Sequence, residues 1–175
     1  QHLPGFTALN PNAKVPVIVD DGVAVFDSNA ILLYLAEKSG KFLPEPTDRG
    51  PMLSWLMFVA SGIGPFTGQC VHFKHYAPEK IAYAINRYDF EAWRHWKILN
   101  AHLANKPWMA GDSYTLLDMA VWGWARALPF ALGDKAVVLP YAVGDGGEHT
   151  LYICPPGLGM NSLLEPDSVT LGYFN

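Results

Sequence analysis

A proline set inside an apolar strand, a few residues ahead of an acid-serine pair, restricts this chain more than any other feature. Asn10-Pro11-Asn12-Ala13-Lys14-Val15-Pro16 leads into Val17-Ile18-Val19-Asp20, then Asp21-Gly22 and the apolar run Val23-Ala24-Val25-Phe26. Asp27-Ser28 follows, just ahead of Ile31-Leu32-Leu33-Tyr34-Leu35. A proline cannot donate to a strand ladder, so Pro16 belongs at a sheet edge or a special bend. The Val15-Pro16 bond is a place for the cis form, which proline tolerates far better than other residues. Such a bend turns the amide and carbonyl of Val15 outward, ready to pair with a peptide-like ligand. Asp27-Ser28 at a helix start brings together a hydroxyl, unpaired amides and the positive end of a helix dipole, a ready carboxylate site.

The pattern after this point predicts helices. Residues 28–39 read as one, with Ile31, Leu32 and Leu35 at helical spacing and Gly40 where a helix stops. The proline-rich polar stretch 42–48 then divides a mixed α/β segment, residues 1–43, from a helical one, residues 48–135. Residues 52–61 are apolar on nearly all sides and predict a buried helix, with Pro51 in its first turn. Gly62, Gly64 and Pro65 are expected to break or kink it. A long helix is expected from Pro78 to about Asn105. Its apolar stripe is Ile81, Ile85, Tyr88, Ala92, Trp96, Leu99 and Leu103, with Arg94, Lys97 and His102 on a wet face. Thr115 reads as a helix cap and Asp118, three residues on, as its reciprocal partner. The apolar run 119–128 continues that buried helix, and the cap serves folding rather than chemistry.

Composition excludes some classes of function. The chain has 175 residues, 50% hydrophobic and 16% charged, which leaves room for one large or two small cores. A net charge of −4 gives no attraction to nucleic acid or to an acidic membrane surface. No run approaches the ~18 apolar residues of a membrane span, and the first residues lack the basic start and apolar stretch of a signal peptide. The two cysteines, Cys70 and Cys154, show no pairing or metal-ligand spacing, which favours a reducing cytoplasm. His72 and His75 lack a carboxylate or thiol at ligand spacing, so no metal site is expected. Cys70 reads as a small buried hydrophobe. The tryptophans Trp93, Trp96, Trp122 and Trp124 read as core. Residues 136–175 contain no lysine or arginine, although twelve precede them, and sustain neither helical nor strand periodicity. An atypical, loosely packed tail is expected there.

The ordered set in residues 10–35 resembles the glutathione-binding half of the glutathione transferase family. That family pairs the residue before its cis-proline with the cysteinyl part of glutathione and grips the γ-glutamyl end with an acidic-serine pair. The resemblance implies these roles for Val15, Pro16, Asp27 and Ser28, and places Asn12 and Lys14 near the glycyl carboxylate. Gly62-Ile63-Gly64-Pro65, Gly68-Gln69, His72-Phe73 and Tyr83-Ala84-Ile85-Asn86-Arg87-Tyr88 are similar to the bacterial Nu-class members, glutathione-dependent disulfide-bond oxidoreductases. Arg87 matches an arginine that reaches a glutathione carboxylate across a dimer interface, through a bidentate guanidinium fork. Gln1 aligns with a glutamine that contacts glutathione. The resemblance covers residues 1–135.

It implies a partial thioredoxin-like α/β domain followed by an all-helical transferase domain. The implied activity is glutathione-dependent disulfide reduction, with glutathione conjugation as a minor one. Glutathione is the substrate, with a small disulfide or electrophile as the second reactant, no metal, and a homodimeric parent. The strand-helix-strand opening of such a domain, with the residue that stabilises the thiolate, is expected to precede Gln1. The alternatives are a non-catalytic binding or assembly module that keeps the fold, or an inactive fragment of the enzyme.

Overall fold

The computed structural model describes residues 1–138. The expected tail, with Cys154, lies outside the described residues beyond Val138. A short helix α1, Pro4–Thr7, precedes two strands, β1, Val17–Asp20, and β2, Val23–Phe26. The strands pair antiparallel, from Val17 against Phe26 to Asp20 against Val23. Asp21 and Gly22 link them at φ 49° and 79°. Two successive positive φ angles make the tight turn whose twist matches that of paired strands.

Helix α2, Ser28–Ser39, has the bounds the sequence predicts, with Gly40 closing it in the left-handed region at φ 64°. It is tied back to the hairpin by two carboxylates, with Asp21 accepting from the Lys38 ammonium at 3.1 Å. Asp20 accepts from the Tyr34 hydroxyl at 2.8 Å and from the Lys38 ammonium. The hydrogen bond from Lys38, then that from Tyr34, hold the Asp20 carboxyl below the usual range.

The connector 41–48 leads to helix α3, Arg49–Phe58. Here the α-helix is interrupted at the glycines and proline, as the sequence suggests, but by a widened turn rather than a full break. A wide π-helical turn, Val59–Ile63, joins α3 to α4, Gly64–Val71, and a second, His72–Tyr76, extends it. The Gly64 amide reaches back five residues to the Val59 carbonyl, and the widened turn absorbs the donor that Pro65 lacks. The glycines serve packing. A Cβ on Gly62 would stand 2.5 Å from the His95 ring, and one on Gly64 2.9 Å from the Trp124 ring. α3 is also less buried than predicted: Met52 and Leu56 face inward while Met57 is exposed.

Helix α5, Ala82–Leu103, starts four residues later than the expected Pro78. Ile81, the residue before it, is still extended at φ −94°, ψ 97°. Its inward stripe runs Ala92, Trp96, Leu99, Leu103, and the Trp96 indole donates to the Thr67 hydroxyl at 2.8 Å. Arg94 and Lys97 face water as predicted, whereas His102 does not. Its ring centroid lies 4.0 Å from that of Trp55, and its Nε2 meets the Met109 carbonyl at 2.9 Å. Burial lowers its pKa. Glu91 and His95, polar residues on the same helix, are buried as well.

Helix α6, Leu116–Ala125, carries the predicted capping box. The buried Asp118 carboxylate accepts the Thr115 amide at 2.8 Å and the Met109 amide at 2.8 Å, while the Thr115 hydroxyl accepts the Leu117 amide at 3.3 Å. Burial pushes the Asp118 carboxyl upward against the pull of these donors. α6 ends at Ala125 rather than running on to Leu128, and α7, Leu128–Leu132, follows before a last 3-10 turn, Gly133–Val138. Trp96 is core, and Trp93 and Trp124 pack against it, but Trp122 is exposed beneath the Arg126 guanidinium. Cys70 is fully buried, its thiol directed at the Ala131 carbonyl, and burial raises its pKa. Among the described residues no helix is long and apolar enough to cross a membrane.

Three stability outcomes follow from this packing. Gly62→Ala should destabilise the fold by about 1–3 kcal/mol, because His95 is held between Phe58 and Phe66 and has nowhere to move. Gly68→Ala, whose Cβ would sit 3.8 Å from Trp124, should instead gain about 0.5–1 kcal/mol from reduced backbone entropy. Chemical denaturation followed by circular dichroism reads both, and equal effects at the two glycines would refute the packing role. Asp118→Ala should cost about 2–3 kcal/mol, from a lost cap and a stranded Met109 amide. An unchanged thermal midpoint would contradict the assignment.

Candidate functional site

A cleft opens where the loop before β1 faces the start of α2. It measures about 170 Å³ and is lined by Asn10, Asn12, Lys14, Val15, Pro16, Phe26, Asp27 and Ser28. Six of these eight were expected from sequence. They come from two short arms, one ending at the strand-breaking proline and the other at the tip of a helix.

The first arm is built by the Asn10 side chain. Asn10 is 2% exposed, at the head of a turn. Its Oδ1 accepts the Asn12 amide at 3.0 Å, and its Nδ2 donates to the Lys14 carbonyl at 2.5 Å. The turn also closes through its backbone, with the Ala13 amide on the Asn10 carbonyl at 2.9 Å. Asparagine is suited to this task because its short carboxamide can mimic a backbone turn. Ala13 sits in the left-handed region at φ 52°. The Val15-Pro16 bond is cis, as the sequence predicts. Val15 is 63% exposed, and its amide and carbonyl take no hydrogen bond among the described residues.

The second arm is the α2 tip. Asp27, rather than Ser28, is the capping residue, with its Oδ1 accepting the amides of Asn29 at 2.9 Å and Ala30 at 3.3 Å. The free amides expected at this helix start are therefore reduced. Among the described residues the Ser28 amide and hydroxyl and the second Asp27 oxygen take no hydrogen bond. Asp27 holds φ 71°, ψ 125°, a costly backbone conformation for a non-glycine residue of the kind found at ligand clamps.

Chemically the cleft is two-ended. The Lys14 ammonium and Asn12 carboxamide lie on one arm, the Asp27 carboxylate and the positive end of α2 on the other. Between them run the Val15 main chain and the apolar floor of Pro16 and Phe26. The arrangement suits a short extended peptide with an anionic end and a zwitterionic end. Asn10 and Phe26 were not among the sequence-predicted residues. The Asn-Pro-Asn turn signal could have singled out Asn10; Phe26 carries no signal beyond closing an apolar run.

Two predicted residues lie outside the lining. Gln1 is exposed at the chain start, its amide 3.5 Å from the His2 ring. Arg87 is on α5, where its guanidinium donates to Glu91 at 2.6 Å, and Arg94 donates to the same carboxylate at 3.0 Å. The Arg94 and Arg87 partners hold the Glu91 carboxyl below the usual range. His72 and His75 do not converge on a third ligand, and among the described residues no group of histidine, cysteine and carboxylate is placed to hold a metal. His75 instead stacks on Phe130 at 4.1 Å.

Comparison with known proteins converges on one family. The family model described as "Glutathione S-transferase, N-terminal domain" matches residues 1–38. The Escherichia coli (strain K12) disulfide-bond oxidoreductase YfcG is 46% identical over 135 residues, covering 73% of this chain and 63% of that protein. The chain spans about half the length of several other curated relatives. The Streptococcus pneumoniae glutathione transferase YghU, solved with glutathione, is 43% identical with a TM-score of 0.69, over 77% of this chain and 54% of that one. A Burkholderia graminis glutathione transferase, solved with two glutathione molecules per subunit, is 30% identical with a TM-score of 0.76, over 90% of this chain and 74% of that one.

The left-handed turn of the first arm gives a direct stability outcome. Ala13→Gly should stabilise the fold by about 1 kcal/mol, since glycine adopts positive φ without the Cβ clash. A denaturation midpoint that falls would show that the Ala13 conformation carries no such penalty.

Proposed function

Because the chain belongs to the glutathione transferase family, we propose that the cleft between the 10–16 loop and the α2 tip binds glutathione, and that the protein uses it to reduce disulfides. The observation that carries this reading is the meeting of Asn12, Lys14, Val15, Asp27 and Ser28 at one cleft. Their chemistry matches the tripeptide group for group. The free Asp27 oxygen faces the γ-glutamyl ammonium. The Ser28 amide and hydroxyl, at the positive end of α2, take the adjacent carboxylate. The Val15 main chain pairs with the cysteinyl unit in the manner of an added strand. The Lys14 ammonium and Asn12 carboxamide hold the glycyl carboxylate.

In the proposed reaction the glutathione thiolate attacks one sulfur of a small disulfide. The S–S bond breaks, a mixed disulfide forms, and the other sulfur leaves as thiolate and takes up a proton. A second glutathione thiolate then attacks the glutathione sulfur of the mixed disulfide. Glutathione disulfide forms and the second substrate thiol is released, so two glutathiones supply the two electrons. Bound this way, the ligand itself supplies the nucleophile, and the residues of the cleft supply position. Conjugation of the same thiolate to a small electrophile is a minor activity.

The wider reading extends to assembly and place. A pool of reduced glutathione is a property of a reducing compartment, so the cytoplasm is the proposed setting. Gln1 and Arg87, outside the lining, would meet glutathione from its margin and from a second subunit of a homodimer respectively. The competing readings are a non-catalytic binding or assembly module that keeps the fold and an inactive fragment of the enzyme; turnover of bis(2-hydroxyethyl) disulfide by this chain with glutathione would overturn both.

Ser28→Ala tests the carboxylate end. It should weaken glutathione binding by about 1–2 kcal/mol, the scale of a hydrogen bond to a charged group, read by titration calorimetry. Equal affinities of the variant and the parent chain would remove Ser28 from the site.

A further inference from the structure

We infer that Asn10, whose carboxamide is spent on the loop itself, is the positioning residue that aims the first arm of the cleft; this rests on the glutathione reading above. Asn10 is nearly sealed from water at 2% exposure, and both ends of its carboxamide are committed. Nδ2 donates to the Lys14 carbonyl at 2.5 Å, and Oδ1 accepts the Asn12 amide at 3.0 Å. Its backbone is committed too, with its amide on the Phe6 carbonyl and its carbonyl taking the Ala13 amide, each at 2.9 Å.

The geometric consequence comes from peptide planarity. In a trans peptide the carbonyl and the following N–H point in opposite directions and rotate as one rigid unit. Among the described residues the cis peptide is Val15-Pro16, and the Lys14-Val15 unit is trans. Drawing the Lys14 carbonyl inward onto Asn10 therefore drives the Val15 N–H outward, toward the cleft that Val15 lines. The same side chain draws the Asn12 amide inward and so sets the plane from which the Asn12 side chain departs. One buried carboxamide thus sets the direction of the Val15 donor and the stations of Asn12 and Lys14. The second arm owes it nothing, since Asp27 and Ser28 are organised by α2. Without Asn10, the Asn12 amide and Lys14 carbonyl lose their partners, and among the described residues the loop keeps the Ala13 turn bond alone.

A structural role for Asn10 and a positioning role differ in what they do to selectivity. The probes are glutathione and its glycyl ethyl ester, which differ only in the carboxylate that Lys14 and Asn12 would hold. The parent chain should prefer glutathione over the ester. In Asn10→Ala, glutathione affinity should fall about tenfold and the preference should shrink toward one, because the stations for the glycyl carboxylate are lost. Asn10→Ser, which keeps a polar group but cannot span from Asn12 to Lys14, is measured beside it and should show the same collapse if the alanine variant does not fold. A preference that survives in the folded variants, whatever their thermal midpoint, would overturn the positioning role, as would a parent chain that binds both probes equally. A parent chain that binds neither would overturn the glutathione reading, and this inference with it.

Discussion

The buried Asp118 carboxylate holds the helical part of the molecule in register. It sits 1% exposed at the first turn of α6 and gathers the amides of Thr115 and Met109, which belong to different local structures. One residue earlier in that turn, the Leu117 amide is satisfied by the Thr115 hydroxyl, and the Leu116 amide is given to the Phe42 carbonyl at 2.9 Å. The last of these bonds leaves the helical bundle altogether. Phe42 lies just past α2, at φ 61°, and its ring meets Tyr114 edge-on at 6.0 Å. The capped start of α6 is thus the point where the helical core and the hairpin-bearing segment are joined. α6 packs against both α2 and α3. The cleft depends on this indirectly, because the helix whose tip forms its second arm is seated on α6.

Much of the cleft was legible in the sequence because it is built locally. Pro16 has few permitted positions in a strand, and a cis bond is essentially a proline option. Asp27 and Gly40 mark the two ends of α2 by side-chain capping and by left-handed backbone, both set within a few residues. The Thr115–Asp118 box is equally local. These features need no knowledge of what packs against them, so a linear reading recovers them. The detail that the acidic residue caps its own helix, and so withdraws two amides from the ligand site, is a matter of atomic geometry that residue types alone leave open.

The misreadings share an opposite cause. Gly62, Gly64 and Pro65 look like helix breakers, and by propensity they are. They interrupt the α-helix with a widened turn yet stay helical, because distant side chains need the space. The His95 ring lies against Gly62 and the Trp124 ring against Gly64, from helices more than thirty residues away. Tertiary packing overrides propensity here, and a widened turn accommodates the proline. His102 was misplaced for the same reason. Its polar ring falls off the apolar stripe, yet Trp55 and the Met109 carbonyl give it a stacking surface and an acceptor. Arg87 is a different matter: within the chain its guanidinium pairs with Glu91, a partner its residue type suits.

Glu91 shows how the helical core tolerates a buried charge. Its side chain is 10% exposed and is flanked by two arginines on its own helix, at i−4 and i+3. His95, one turn on, is engaged with the Glu91 backbone carbonyl at 2.7 Å. A buried carboxylate without such partners would be costly, and removing one arginine would leave part of that cost uncompensated. The Arg87 side chain is nevertheless about half exposed, and its bond to Glu91 uses Nη1. A planar fork can serve an internal carboxylate and an external one together, which a lysine at this position could not do with the same geometry. The ion pair on α5 and the availability of Arg87 to a ligand are thus compatible, because the guanidinium has five donors and Glu91 takes only the one at Nη1.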